Sequence, residues 1–251
     1  FIGLIATCSM LSALTAGGVV NERPRRKRRG IKPVEAVPKA LLESLLFFTI
    51  NFNWAFGTAP IEPANPDILY TGRFQFSDSS RPVFSHIGCS IKINFNGTGV
   101  SATFSSSKTS YLYVIIDGHD DVHNRKVLKV APPEQSYELV SGLADGAHGV
   151  EIVKLTQYDS KVTFFGFEVE GEGLAEKPER PPLALEFYGD SNAAGHSAWD
   201  PRDSGTDAVN EGYFTFPGIT ARMLKAEFSN ISGSGAGVTS QGWWNLVDFH
   251  H

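Results

Sequence analysis

The run Leu183-Ala184-Leu185-Glu186-Phe187-Tyr188-Gly189-Asp190-Ser191-Asn192-Ala193 changes the character of the chain. Residues 183–188 are apolar enough for a central strand, and Gly189 with Asp190 is turn chemistry that halts it. Ala193, Ala194 and Gly195 then permit a tight passage into the next element. In an open α/β sheet a side chain at the carboxyl end of a strand points into the crevice where such folds bind ligands. The pattern makes Ser191 a candidate nucleophile, with Gly189 and Asp190 as its supporting turn and neighbouring backbone N–H groups as oxyanion donors. Gly, Asp and Ser are also the commonest turn residues, so an ordinary strand and turn with an exposed serine fits the same tripeptide.

Downstream, Phe216, Ile219, Met223 and Leu224 fall on one face of a predicted helix, residues 226–231 read as the next strand, and residues 238–249 as a second helix. Strand, helix, strand, helix is an α/β pattern. Asn230-Ile231-Ser232-Gly233-Ser234-Gly235-Ala236-Gly237 follows the second strand. Glycine there lets backbone N–H groups approach a substrate, although a flexible Gly/Ser loop has the same composition. No base is assigned: His196 is too near Ser191 in sequence to place as its partner, and His250 and His251 are terminal.

Upstream the pattern is different. Residues 68–76, 83–84, 89–95, 99–104, 111–117, 126–130, 136–143, 148–156 and 163–169 read as short strands without a long amphipathic helix, which predicts a sandwich or jelly roll. The domain reading is therefore a β-sandwich over 62–170, a Gly- and Pro-rich linker over 171–182 and an incomplete α/β domain over 183–251. Residues 1–20 look like a secretory leader, and 21–61 hold a basic, proline-broken linker and a second apolar segment. The stretch 41–50 is too short, and too interrupted by Glu43, for a membrane span.

The 251 residues carry a formal net charge of −5, and Arg23, Arg25, Arg26, Lys27, Arg28 and Arg29 supply six positive charges, so the remainder stands at −11. An acidic body with one basic linker argues against nucleic acid as a partner. Two cysteines make neither a disulfide framework nor a metal site, and Cys89 reads as a lone buried thiol. Asp117-Gly118-His119-Asp120-Asp121-Val122-His123 has metal-binding residues, but its place between two strands favours a hairpin loop, and Asp145-Gly146-Ala147-His148 reads as a turn. No metal or cofactor is expected. Asn96-Gly97-Thr98 and Asn230-Ile231-Ser232 are glycosylation sequons. Tyr111, Tyr113, Tyr137 and Tyr158 could stack on sugar rings, or serve as cross-strand packing.

Three stretches in order, Asn65-Pro66-Asp67-Ile68-Leu69-Tyr70-Thr71-Gly72-Arg73-Phe74, Asp145-Gly146-Ala147-His148-Gly149-Val150-Glu151-Ile152-Val153-Lys154-Leu155-Thr156 and Glu186-Phe187-Tyr188-Gly189-Asp190-Ser191, resemble carbohydrate esterase family 2. The resemblance covers roughly residues 62–251. It implies a β plus α/β architecture: an N-terminal jelly roll, then part of an SGNH (GDSL-type) hydrolase domain of the flavodoxin-like three-layer kind. It also implies removal of acetyl groups from xylan and related polysaccharides by a secreted or extracellular protein without stable membrane insertion. Ser191 matches the family nucleophile, and its N–H one oxyanion donor. Gly235 is the best match for the oxyanion glycine and Gly233 the alternative. Asn192 and His196 stand where Ile or Leu and Tyr are expected, which bears on substrate preference. The third block, Gly-x-Asn-Asp, and the final Asp-x-x-His block that carries the base are expected beyond His251, so that the base is not expected in this chain. The expectation is a complete esterase in the full-length protein and a weakly active or inactive 251-residue fragment. The rival expectation is a carbohydrate-binding jelly roll beside a degenerate hydrolase remnant.

Overall fold

The computed structural model describes residues 57–120, 125–157, 159–196, 198 and 210–237, with the backbone of 244–245. At its centre lies one strand where the sequence suggested two. β5 (Ser90–Ser106) runs unbroken for 17 residues. Its core residues are Ile91, Ile93 and Phe95 in the first half and Val100, Ala102 and Phe104 in the second. Odd positions give way to even ones, so the strand must slip by one residue between Phe95 and Val100 to keep feeding one core. Gly97 supplies the slack: a Cβ there would lie 2.2 Å from the Glu170 carbonyl oxygen. The Gly-rich centre is thus a bulged strand interior, not a turn.

β5 also changes partners along its length. Its first half pairs with β2 (Leu69–Thr71) and β9 (Gly146–Lys154), and its second half with β8 (Gln135–Val140). β10 (Val162–Leu174) runs antiparallel to it from Val162↔Ser106 to Leu174↔Phe95. β10 therefore continues beyond the expected 163–169 strand. β1 (Thr58–Ile61), β3 (Phe74–Gln75) and β4 (Val83–Phe84) extend the network beside β10, and β6 (Ser110–Ile116) and β7 (Lys126–Val130) beside β9. The result is a β-sandwich, mostly antiparallel, whose interior holds Phe84, Phe95, Phe104, Phe164, Phe167 and many β-branched residues. Gly146 opens β9, so residues expected in a turn at 145–148 are mostly strand.

Period-two alternation puts a second apolar set on the outer face of one sheet. In β6, Leu112 and Val114 enter the sandwich core while Tyr113 and Ile115 point the other way. In and just after β9, Val150 and Ile152 face inward, and Val153 and Leu155 join the outer set. Tyr213, Ala221 and Phe228 cover that set. They belong to the C-terminal segment: β11 (Ala184–Gly189), α1 (Ser191–Ala194), a 3₁₀ turn (Gly212–Phe214), α2 (Phe216–Met223) and β12 (Glu227–Ser232). β11 and β12 pair in parallel, from Ala184↔Glu227 to Gly189↔Ser232. The other edge of β12 meets the sandwich, where Asn230 N–H donates to the Ile87 carbonyl at 3.0 Å.

Two expectations for this segment are corrected. The α2 stripe Phe216, Ile219, Met223 and Leu224 is exposed, and Pro217, Gly218 and Ala221 are the buried residues. Small side chains let this helix come close to the Tyr213 backbone, and that approach outweighs burying the larger apolar face. Trp244–Asn245 (β14) pairs in parallel with Ala236–Gly237 (β13) in place of helix; the rest of 238–249 lies outside the described residues. Among the described residues no helix is long and apolar enough to cross a membrane.

Candidate active site

The turn read from the sequence is present. β11 ends at Gly189, Asp190 caps α1 by accepting from the Asn192 N–H at 2.9 Å, and Ser191 is the first helical residue. Gly189 must be glycine: a Cβ would stand 2.4 Å from that of Ala193. The turn closes on Gly195, in the left-handed region with φ 76°, and the His196 N–H donates to the Ser191 carbonyl at 3.0 Å. Ser191 is half-buried, on a backbone held from both ends.

The parallel register brings the end of β12 beside this turn. Gly189 is opposite Ser232, and the Gly233 N–H donates to the Gly189 carbonyl at 3.3 Å. Gly233 is buried, whereas Gly235 is exposed with φ 80°. The structure thus brings Ser191, Gly189, Asp190 and the 233–237 loop to the same carboxyl edge. Asn230 is the residue whose role the sequence reading missed. It is 1% exposed, donates from Nδ2 to the Ala193 carbonyl at 2.7 Å, and accepts at Oδ1 from the Ser232 hydroxyl at 2.7 Å. Polar Asn230 and Ser232, flanking Ile231 at the end of the strand, were the available signal. The same burial closes the Asn230 sequon, because a side chain 1% exposed leaves no room for a glycan on Nδ2.

Thr215 adds a second clamp, its hydroxyl lying 2.9 Å from the Ala193 carbonyl and 2.8 Å from that of Gly212. Glu211 donates its N–H to the Gly195 carbonyl at 3.1 Å, and its buried carboxylate meets the Arg125 guanidinium of the sandwich at 2.8 Å. Burial pushes the Glu211 carboxyl up from its ordinary range, and Arg125 opposes that shift.

Asp117 and Asp120, described residues of the 117–123 cluster, are engaged in structural contacts. Asp117 accepts from the Gly149 N–H at 2.8 Å and pairs with His148 Nδ1 at 2.9 Å. Asp120 receives the Tyr113 and Tyr213 hydroxyls at 3.0 and 3.2 Å and lies 3.3 Å from Arg222. Asp120–His123 and Asp248–His251 both carry the bare Asp-x-x-His spacing. In the first, Asp120 is engaged at the sandwich hairpin; His123 and the second stretch lie outside the described residues. So do His250 and His251. Among the described residues no group of three His, Cys, Asp or Glu is arranged to hold a metal. Cys89 is fully buried, and burial raises its thiol pKa to about 11, which makes it inert at neutral pH. Of the tyrosines considered for sugar stacking, Tyr113 is 1% exposed, and Tyr111 and Tyr137 are partly buried against the two cores. Tyr158 lies outside the described residues.

The described residues define a β-sandwich packed by its outer face against a strand, Gly-Asp-Ser turn and parallel strand. Residues 70–178 match the carbohydrate esterase 2 N-terminal family. The cellulase/esterase CelE of Acetivibrio thermocellus is 35% identical over 178 residues, which are 70% of this chain and 21% of that protein. A family two carbohydrate esterase from Clostridium thermocellum, solved in complex with cellohexaose, is 34% identical with a TM-score of 0.62, over 68% of this chain and 53% of that one. A family two carbohydrate esterase from Cellvibrio japonicus is 25% identical with a TM-score of 0.64, over 72% of this chain and 54% of that one. Over residues 70–178 the chain is thus similar to the N-terminal part of carbohydrate esterase family 2. It spans about a fifth of CelE and about half of the two solved chains.

Proposed function

We propose that the protein is a serine esterase that removes acetyl groups from polysaccharide, with Ser191 as nucleophile and residues 183–251 as part of an SGNH-type α/β domain behind a jelly roll over 62–170. The observation that carries this reading is the juxtaposition of the Asp190-capped Ser191 turn with the 233–237 loop at one carboxyl edge of a parallel strand pair. Relatives that are carbohydrate esterases support it.

In this mechanism Ser191 Oγ attacks the acetyl carbonyl carbon as a general base takes its proton. The carbonyl oxygen becomes an oxyanion stabilised by the N–H groups of Ser191 and Gly235, because the alternative, the Gly233 N–H, is already given to the Gly189 carbonyl. Collapse breaks the bond to the sugar oxygen, which leaves as an alcohol with the proton returned by the base. Water then attacks the acetyl-serine and releases acetate. No cofactor takes part, and the base is not assigned. Recognition of a polysaccharide fits an extracellular setting.

The test is hydrolysis of an aryl acetate and of acetylated xylan by the protein and its Ser191→Ala variant. Loss of turnover in the variant, with an unchanged fold by circular dichroism, is expected. Turnover that survives the substitution overturns the assignment. The module reading predicts instead that glycan binding persists when 183–251 are deleted and that no ester is cleaved. It is the weaker reading, because the tyrosines it would use on the sandwich are buried or partly buried.

A further inference from the structure

The sandwich loop after β9 reaches the candidate oxyanion loop directly. Gln157 Oε1 accepts a hydrogen bond from the Ser234 N–H at 3.2 Å. Ser234 lies between Gly233 and Gly235, so this bond fixes one peptide of the segment whose N–H groups are assigned to the oxyanion. Gln157 is itself held from below. The Lys154 ammonium, 0% exposed, lies 2.8 Å from both the carbonyl and hydroxyl oxygens of Thr156, 3.1 Å from the Gln157 carbonyl and 3.1 Å from the Ser160 hydroxyl. The Lys154 carbonyl accepts from the Gly88 N–H at 3.0 Å, one residue from the Ile87 carbonyl that pairs with β12.

A buried ammonium is costly unless several oxygens surround it. Here those oxygens are the backbone and hydroxyls of the loop that presents Gln157. The Gly- and Ser-rich 233–237 segment has little side-chain packing of its own, so an external acceptor has most effect there.

We propose that Gln157 is a positioning residue. The sandwich, through the Lys154-caged loop, orients the oxyanion loop of the neighbouring segment by holding the Ser234 N–H, and so acts within the active site rather than only beside it. The inference rests on the esterase reading above, and it has a readout that does not.

In the ¹⁵N-labelled protein, amide hydrogen exchange at Ser234 is expected to quicken about tenfold in Gln157→Ala and to return toward the original rate in Gln157→Glu, which keeps an acceptor oxygen, while β5 amides stay unchanged. Equal Ser234 exchange in the protein and Gln157→Ala overturns the proposal whether or not the chain turns over ester. In the aryl acetate assay, Gln157→Ala is expected to lower kcat about tenfold with KM nearly constant, because a displaced oxyanion donor acts on the transition state more than on binding. An unchanged kcat, in a protein that Ser191→Ala silences, overturns the positioning role and leaves the esterase reading standing. Turnover indifferent to Ser191→Ala overturns the esterase reading, while the exchange result still reports the tie.

Discussion

Inside the sandwich, Ile91, Phe95, Phe104, Phe164 and Val169 meet other residues of the same sandwich, whereas Tyr213, Ala221 and Phe228 of the C-terminal segment meet Tyr113, Ile115, Val153 and Leu155 on the sandwich's outer face. One region encloses its own core and the other shares one. The second region also leaves Met223 80% and Phe216 57% exposed. Its site is therefore built on a rigid neighbour: Asn230, Gly212 and Ser234 each donate a backbone N–H across the boundary, to Ile87, Leu155 and Gln157 respectively. Elements with few apolar contacts of their own open at lower free energy than those in a closed core.

The sharpest way to break this contrast is Tyr113→Ala. The ring is buried, lies 5.3 and 5.7 Å from those of Tyr213 and Phe214, and its hydroxyl donates to Asp120. A loss of about 3–5 kcal/mol is expected, as for other large buried aromatics. In hydrogen exchange, β11 and β12 should lose protection before β5. Equal loss in both regions would show that they share stability uniformly.

Next in size is Arg125→Ala, which leaves the Glu211 carboxylate buried beside the turn without its guanidinium. Denaturant unfolding at neutral pH should show about 3 kcal/mol of destabilisation. Because burial already raises the Glu211 pKa, the carboxyl of the variant takes up a proton readily, and the deficit should shrink as pH falls. A deficit independent of pH would point to lost packing of Arg125 over Phe214 instead.

Gly88→Ala tests the boundary itself, since a Cβ there would lie 2.5 Å from the Phe228 ring at a backbone with φ +80°. The expected cost is about 1–3 kcal/mol, felt by the C-terminal segment. A neutral result would mean that the two regions slide apart freely.

The smallest effect belongs to the sandwich alone. His148 is held above its ordinary pKa of 6.5 by the Ala144 carbonyl and by Asp117. A raised folded pKa means that the imidazolium's contribution is full below about pH 6.5 and is lost as pH rises through the folded value. Asp117 is held below its ordinary value, the Gly149 N–H and His148 outweighing the opposing effect of partial burial, so its contribution fades toward strong acid. Melting temperatures of the protein and His148→Ala should differ modestly near pH 5.5 and converge at alkaline pH. A gap that persists into alkali would assign His148 a packing role against Phe95.

Much of this contrast was legible in sequence. Short β runs separated by turns identified the sandwich, Cys89 read as buried, and Gly189-Asp190-Ser191 read as a strand end, because alternation and turn chemistry act over a few residues. Three things were not legible. The pair of strands at 89–95 and 99–104 is one bulged strand, since Gly97 serves either a turn or a bulge until β10 lies beside it. The face of α2 could not be chosen by hydrophobicity, because closeness to Tyr213 favoured Gly218 and Ala221. Asp120 and Arg222 are distant in sequence, and only folding makes them neighbours.

The sequence by itself determined the local chemistry: where strands run, where the Ser191 turn falls, and which glycines stand near it. Tertiary structure alone decided what holds that turn and its loop, because Asn230, Glu211, Arg125 and Gln157 act through hydrogen bonds and ion pairs between segments. Such contacts depend on distances set by packing, and neither residue type nor spacing along the chain encodes them.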